Sequence, residues 1–301
     1  DVKNRCGART RILYITHLLN GHQAVGALYK WCKSNNIRVV EDCALALFSQ
    51  SSEGYLGTLA DAAIFSFKKF LPVPDGGVLS TREPVNNSKV SLERPPFGRL
   101  LRSLLPFAKS SAFSTLDACR LYDPWIATTH RMRRKSKAFG RQYELEDRSM
   151  PRSYYFDMRY RDCTFSRMAA GVLRRTDPEV VVSRRRKNYA ALVAFLDSID
   201  GINIPRKVLD NGICPVGLFV TVPHRQRMVE MLNAQGIDAT SWWAGYHRSF
   251  DWSDFPEARY LKDNTLYLPI DQSLDNKHIE YIAKCVKRAA SILRTHDAGN
   301  A

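Results

Sequence analysis

The sequence predicts an α/β protein: part of a large domain built on a mostly parallel sheet, followed by a smaller α/β domain. Two patterns lead there. Over the first 81 residues, short β-rich apolar runs alternate with a helix-period segment. After Asp177-Pro178, a long helical pattern is followed by a second alternation of strand and helix signals. Size and composition agree with this reading. The chain has 301 residues, 45% hydrophobic and 25% charged. Such a chain buries roughly three quarters of its unfolded surface and needs no disulfide or metal staples. Wholesale disorder, collagen and coiled coil are excluded.

Residues 12–16 (ILYIT) read as a buried strand. Residues 23–34 place Val25, Leu28, Trp31 and Cys32 at helical spacing, and Asn35-Asn36 ends that helix. Residues 37–41 (IRVVE) form a second strand with Asp42 at its C-terminal end. A strand–helix–strand unit implies parallel strands joined by a right-handed crossover. Gly54 and Gly57 punctuate a loop, and a third strand occupies 62–67 (AAIFSF). Lys68, Lys69, a Pro-rich turn and Asp75-Gly76-Gly77 lead to a strand at 77–81.

Residues 83–150 read as an insertion-like region, broken early by Pro84, Pro95 and Pro96, with helices expected near 98–108 and 111–122. A helix is expected at 163–175. Asp177 and Pro178 then supply an N-cap and a first-turn proline for a helix running to about Asp197. Beyond it we expect a strand at 214–222, a helix at 225–235 and a strand at 237–241. A short helix near 256–262, a strand at 265–269 and a helix at 275–294 follow. The domain boundary is placed between residues 176 and 177, with 177–301 as the small domain.

Lys and Arg outnumber Asp and Glu 45 to 30, a net charge of +15. Such a balance suits nucleic acid, anionic lipid or phosphorylated small molecules. The basic residues cluster at Arg131–Lys137, at Arg174-Arg175 and at Arg184, Arg185, Arg186 and Lys187. Each cluster reads first as a solvated helix face, and no zinc-finger, RNP or basic-zipper signature accompanies them. No apolar run reaches the roughly 18 residues of a membrane span. Residues 1–11 are polar, without an apolar signal core, so secretion is not indicated. The seven cysteines are scattered, with no CxxC and no Cys/His cluster, so neither a disulfide framework nor a metal site is expected. They read as reduced core residues of a cytoplasmic protein.

Open α/β sheets bind ligands beyond the carboxyl ends of their strands. Asp42 stands at one such end, and Ser66, Lys68 and Lys69 stand at another. An acid, a lysine and a serine in this relation suit pyridoxal phosphate. The lysine supplies a Schiff base, the acid keeps the pyridine nitrogen protonated, and the serine donates to the phosphate. Taken alone, an Asp and a Lys at strand ends are more often a surface charge and a snorkelling side chain.

The stretch VVEDCALA followed by GYLGTLADAAIFSFKKFLPVPDGGVLST resembles the DegT/DnrJ/EryC1/StrS family of pyridoxal-phosphate aminotransferases. The resemblance rests on Glu41-Asp42, Gly54 and Gly57, Asp61-Ala62, Phe65-Ser66-Phe67, Lys69-Phe70-Leu71 and Asp75-Gly76-Gly77. It extends to ITHLLNGHQAVGALYKWCKSNNIRVVED, to the segment around Ala169-Ala170 and Arg184–Arg186, and to GIDATSWWAGYH and the last helix, but not to 83–150. It implies fold type I, a homodimer and transfer of an amino group, with glutamate as donor, to a nucleotide-linked keto-sugar. By position, it implies that Asp42 pairs with the pyridinium nitrogen, that Ser66 binds the phosphate and that Lys69 forms the Schiff base. Lys68 is the competing lysine. Lys69 is preferred because it precedes the x-Leu that follows the family's lysine. His247 is a candidate substrate contact.

Departures accompany the match. Leu45 stands where the family usually has Gln, and Arg161 or Asp162 falls near the family's phosphate-reaching Asn. The family also carries upstream residues with a phosphate loop and a ring-stacking aromatic, and the chain as given starts after both. The expectation is a sheet exposing apolar surface and a site incomplete on its own. The competing reading is a non-catalytic, regulatory or nucleic-acid-binding protein on the same scaffold, or an inactive fragment.

Overall fold

The computed structural model describes residues 2–84 and 161–298, apart from 243–244 and 247–249, together with 92–94, 96, 98 and 158. The helices expected near 98–108 and 111–122, the basic cluster at 131–137 and His247 lie outside the described residues.

A short helix, α1 (Val2–Arg5), precedes the first strand–helix–strand unit: β1 (Ile12–Thr16), α2 (Val25–Ser34) and β2 (Arg38–Asp42). A small hairpin follows, β3 (Gln50–Ser51) with β4 (Gly54–Tyr55), and then β5 (Ala62–Ser66) and β6 (Gly77–Thr81). The first sheet has the order β1-β2-β5-β6. β1 pairs β2 and β2 pairs β5 in parallel, whereas β6 returns antiparallel to β5. The sheet is therefore mostly parallel, as expected. Gly76 (φ +117°) makes the turn that reverses the chain into β6, where a side chain would press on the Phe67 ring.

Alternation along each strand separates two faces. Ile15, Val39 and Ala63 are buried, and Ile15 and Val39 form a core cluster with Val25, Cys32, Ile37 and Ala60 beneath α2. The other face carries Tyr14, Asp42, Ile64 and Leu79, with Tyr14 and Leu79 more than half exposed.

After α3 (Arg167–Arg175) comes α4 (Pro178–Leu196). Asp177 caps α4 by accepting from the Glu179 and Val180 backbone N–H groups, with Pro178 in the first turn. The second sheet is antiparallel in the order β7-β9-β8, built from β7 (Leu218–Thr221), β8 (Thr240–Ser241) and β9 (Thr265–Leu268). It is flanked by α5 (Arg225–Ala234), α6 (Pro256–Asn264) and α7 (Asn276–Ala298). Leu192 and Leu196 of α4, Ile279 and Val286 of α7, and Leu218, Val220, Leu266 and Leu268 of the sheet share one core. That core continues to Ala63 of β5 and to Cys43 and Leu56, which follow β2 and β4. Among the described residues, no helix is long and apolar enough to cross a membrane.

The strand expected at 214–222 is shorter, because side chains take the backbone groups a ladder would use. Cys214 N donates to Ser49 Oγ (3.0 Å), Val216 N to Asn20 Oδ1 (2.9 Å), and the carbonyls of Pro215 and Val216 accept from Arg185 (3.1 and 3.0 Å). The strand expected at 237–241 reduces to β8, since Ala239 N turns back onto Ile237 O.

Candidate active site

β2 and β5 are parallel neighbours, so their final residues, Asp42 and Ser66, reach the same edge of the sheet. Asp42 pairs with Ile64, which puts Ser66 one strand over and two residues further along the same face. The Asp42 carboxylate is fixed at both oxygens. Oδ1 accepts from Ala44 N (2.9 Å) and Oδ2 from the Tyr14 hydroxyl (2.9 Å). Burial, and then this bond to Asp42, push the Tyr14 phenol up to about 12. The Ser66 hydroxyl makes no side-chain hydrogen bond among the described residues, so it is open to a ligand.

After Ser66 the chain makes one 3-10 turn, Phe67–Lys69, closed by Phe70 N and Leu71 N donating to Phe67 O (3.0 and 2.8 Å). Phe67 and Phe70 are buried and anchor the turn, while Lys68 and Lys69 project from it. Much of the Lys69 side chain is exposed, yet nearby protein desolvates its ammonium. This burial, with some repulsion from Lys68, holds its pKa below the usual lysine range, and the Asp42 carboxylate pulls the other way. Lys69 therefore lies in the field of Asp42. An amine with a lowered pKa keeps more of the neutral, nucleophilic form.

Behind Asp42, on the buried face, Glu41 is almost fully enclosed. Its Oε2 accepts from Gly57 N (3.0 Å) and meets His17 Nε2 (3.1 Å), and its Oε1 accepts from Ala60 N (3.1 Å). Gln23 N donates to His17 Nδ1 (3.1 Å), so the neutral ring carries its proton on Nε2 and gives it to Glu41. Burial raises the Glu41 pKa, but the His17, Gly57 and Ala60 hydrogen bonds outweigh it and the net shift is downward. Cys43 completes a buried His17–Glu41–Cys43 group, its thiol pushed up by burial. A spatial cluster thus exists where the sequence shows none by spacing. Its imidazole and carboxylate atoms are already committed to protein partners. Gly57 has φ +87°, and a Cβ there would stand 2.4 Å from the Phe65 ring, so only glycine lets this N–H approach Glu41.

The loop after Lys69 is clasped from α4. Arg185, 2% exposed, donates to the carbonyls of Phe70 (3.2 Å), Pro215 and Val216 and to Gln272 Oε1 (2.7 Å). Gln272 Nε2 also donates to Phe70 O (2.8 Å). Arg184 reaches Gln272 O, and Arg186 reaches the carbonyls of Asp210 and Ile213. The cluster at 184–187, read from sequence as a solvated face, is thus divided: Arg185 is buried and Arg186 half-buried, while Arg184 and Lys187 are exposed. Asp75 accepts from both N and Oγ of Ser166 (3.0 Å each), tying the turn before β6 to the cap of α3.

Among the other sequence candidates, Leu45 is buried with Phe67 and Phe70. Arg161 and Asp162 form an exposed pair at 2.8 Å. Trp242 stacks on Tyr267, a packing role. Sequence reading missed Tyr14, the contact between His17 and Glu41, and the clasp made by Arg185. Of these, Tyr14 had a signal: it sits two residues before Thr16, which pairs with Asp42, and so shares its face.

Comparison with known proteins adds the following. Residues 1–96 match the DegT/DnrJ/EryC1/StrS aminotransferase family. A putative L-glutamine:3-amino-2,3-dideoxy-scyllo-inosose aminotransferase of Micromonospora echinospora is 36% identical over 75 residues, 24% of this chain and 18% of that protein. GDP-perosamine synthase of Escherichia coli O157:H7 is 29% identical over 85 residues, 28% of this chain and 23% of that protein. The match thus spans less than a quarter of either curated relative. The solved aminotransferase TlmJ from Streptoalloteichus hindustanus superposes on 97% of this chain and 69% of its own, with TM-score 0.59 and 22% identity. The putative sugar aminotransferase Spr1654 from Streptococcus pneumoniae, in its PMP form, covers 99% and 72%, with TM-score 0.62 and 15% identity. DesI, solved in the presence of its TDP-sugar product, covers 99% and 67%, with TM-score 0.61 and 19% identity. The chain shares the fold of these three solved structures.

Proposed function

We infer that this chain, whose residues 1–96 match the DegT/DnrJ/EryC1/StrS aminotransferase family, binds pyridoxal 5'-phosphate and serves amino transfer to a sugar. The observation that carries the reading is the approach of Asp42 and Lys69 at the ends of adjacent parallel strands. The donor set fits the cofactor. Asp42 offers a fixed anion for the pyridine nitrogen, Ser66 an open hydroxyl for the phosphate, and Lys69 an amine of lowered basicity.

When bound, the cofactor supplies an electron-withdrawing ring. The chain's own groups do the rest. Asp42 holds the ring nitrogen's proton by opposite charge. Lys69 would hold the cofactor through Nζ, and once the amino donor's nitrogen has displaced it, the freed Nζ would take up and return the proton at the donor's α-carbon. The Arg185–Gln272 clasp on Phe70 O keeps the lysine turn in place.

The acceptor in this reading is a nucleotide-linked keto-sugar. The net charge of +15 suits a diphosphate, and two of the proteins compared are named for GDP- and TDP-linked sugars. Glutamate is the amino donor, and two copies form a C2 dimer.

Absorbance of the reconstituted protein tests the reading. Lys69→Ala should abolish the visible band of the lysine-bound cofactor, and Lys68→Ala should retain it. The reverse result would reassign the lysine, and no band in the unaltered protein would end the reading.

A further inference from the structure

The Tyr14 hydroxyl sits 2.9 Å from Asp42 Oδ2, and no other side chain donates to that carboxylate among the described residues. We propose that Tyr14 is a positioning residue that orients the Asp42 carboxylate for the ring nitrogen. The inference rests on the cofactor reading above and assigns the residue that fixes its acid.

The register supplies the geometry. Thr16 pairs with Asp42 across the parallel ladder, and Tyr14 pairs with Val40, so Tyr14 lies one pleat back on the same face. Its long side chain reaches forward along the strand to the carboxylate. Ala44 N is two residues from Asp42 and holds Oδ1 by a local turn. With only that bond, Oδ2 would be free to swing about the Cα–Cβ bond. The phenol adds the second fixed point and defines the carboxylate plane. Each oxygen keeps a further lone pair for an incoming N–H, so the bond orients the acid without blocking it.

Tyr14 suits the task chemically. Its phenol donates to the anion and stays protonated across the working pH range, because burial and Asp42 hold its pKa at about 12. Tyr29, whose hydroxyl meets Asp61 Oδ1 at 3.4 Å on another part of the molecule, provides a control.

Two measurements decide the proposal, and Tyr14→Phe suits both because the ring is half exposed and its loss of one hydroxyl leaves packing intact. The first needs no cofactor. In the protein labelled with 13C at the tyrosine Cζ, the resonance absent from Tyr14→Phe should titrate near 12. In Asp42→Asn it should move part of the way toward the ordinary value of 10.0. Identical titration in the two backgrounds overturns the proposal. The second is cofactor uptake. Tyr14→Phe should weaken it on the order of tenfold and shift the pH profile of the bound absorbance, as loss of an outer supporting bond does. Tyr29→Phe should match the unaltered protein. Uptake and pH profile unchanged in Tyr14→Phe, with Asp42→Asn impaired, also overturns the proposal. If the unaltered protein takes up no cofactor, the functional reading fails, and the tyrosine titration still decides whether Tyr14 fixes Asp42.

Discussion

Adjacent residues on β2 do different work because strand geometry turns them to opposite faces. Asp42 faces the open side with Tyr14, while Glu41 faces inward and is capped by His17, Gly57 and Ala60. The buried carboxylate links the ends of β1 and β2 to the loop before β5. Glu41→Gln should cost about 2–3 kcal/mol, since one amide cannot accept from donors on both sides. The pH dependence follows from the lowered Glu41 pKa. Its native interactions favour the ionised form, so their contribution is present above the ordinary carboxylate value of 4.5 and lost as pH falls through the native value. Urea titrations at neutral and acidic pH should therefore show the gap between the two proteins closing on acidification. A constant gap would mean that charge is not what the site uses.

Among the elements, α4 carries the most. Val181, Arg185, Asn188, Tyr189, Leu192 and Leu196 are its buried residues, one or an adjacent pair on each turn, so one helix face is the core wall. Its start was legible from Asp177-Pro178, because capping is a local interaction. Asp177→Ala should remove the bonds to Glu179 N and Val180 N and cost about 1 kcal/mol, read as a lower melting temperature with unchanged secondary structure. Strand extents were less legible. The apolar run at 214–222 looks like one strand, but Ser49, Asn20 and Arg185 intercept its first four residues. These partners lie far away in sequence, where periodicity does not reach.

On the scale of the whole molecule, Arg185 joins both sheets to the lysine turn. It brings a charge into the interior, where burial lowers its pKa, and satisfies it with four oxygen acceptors. Arg185→Met keeps the volume but leaves the Pro215 and Val216 carbonyls without this donor. It should cost about 3 kcal/mol, seen as a lower denaturant midpoint at unchanged slope. Cofactor uptake should fall with it, because Phe70 O would keep only Gln272.

The sequence by itself determined the order of the elements in the first strand–helix–strand unit, the parallel pairing of β1 and β2, and the placing of Asp42, Ser66 and Lys69 at strand ends. Those follow from periodicity, caps and strand ends, which are local. The tertiary structure alone decided that Tyr14 reaches Asp42, that His17 and Glu41 meet in the interior, and that Arg185, the middle one of three consecutive arginines, is buried against backbone carbonyls. A side chain's partner depends on which distant backbone it meets, and burial leaves an arginine or a glutamate no solvent to fall back on, so the partner fixes its role.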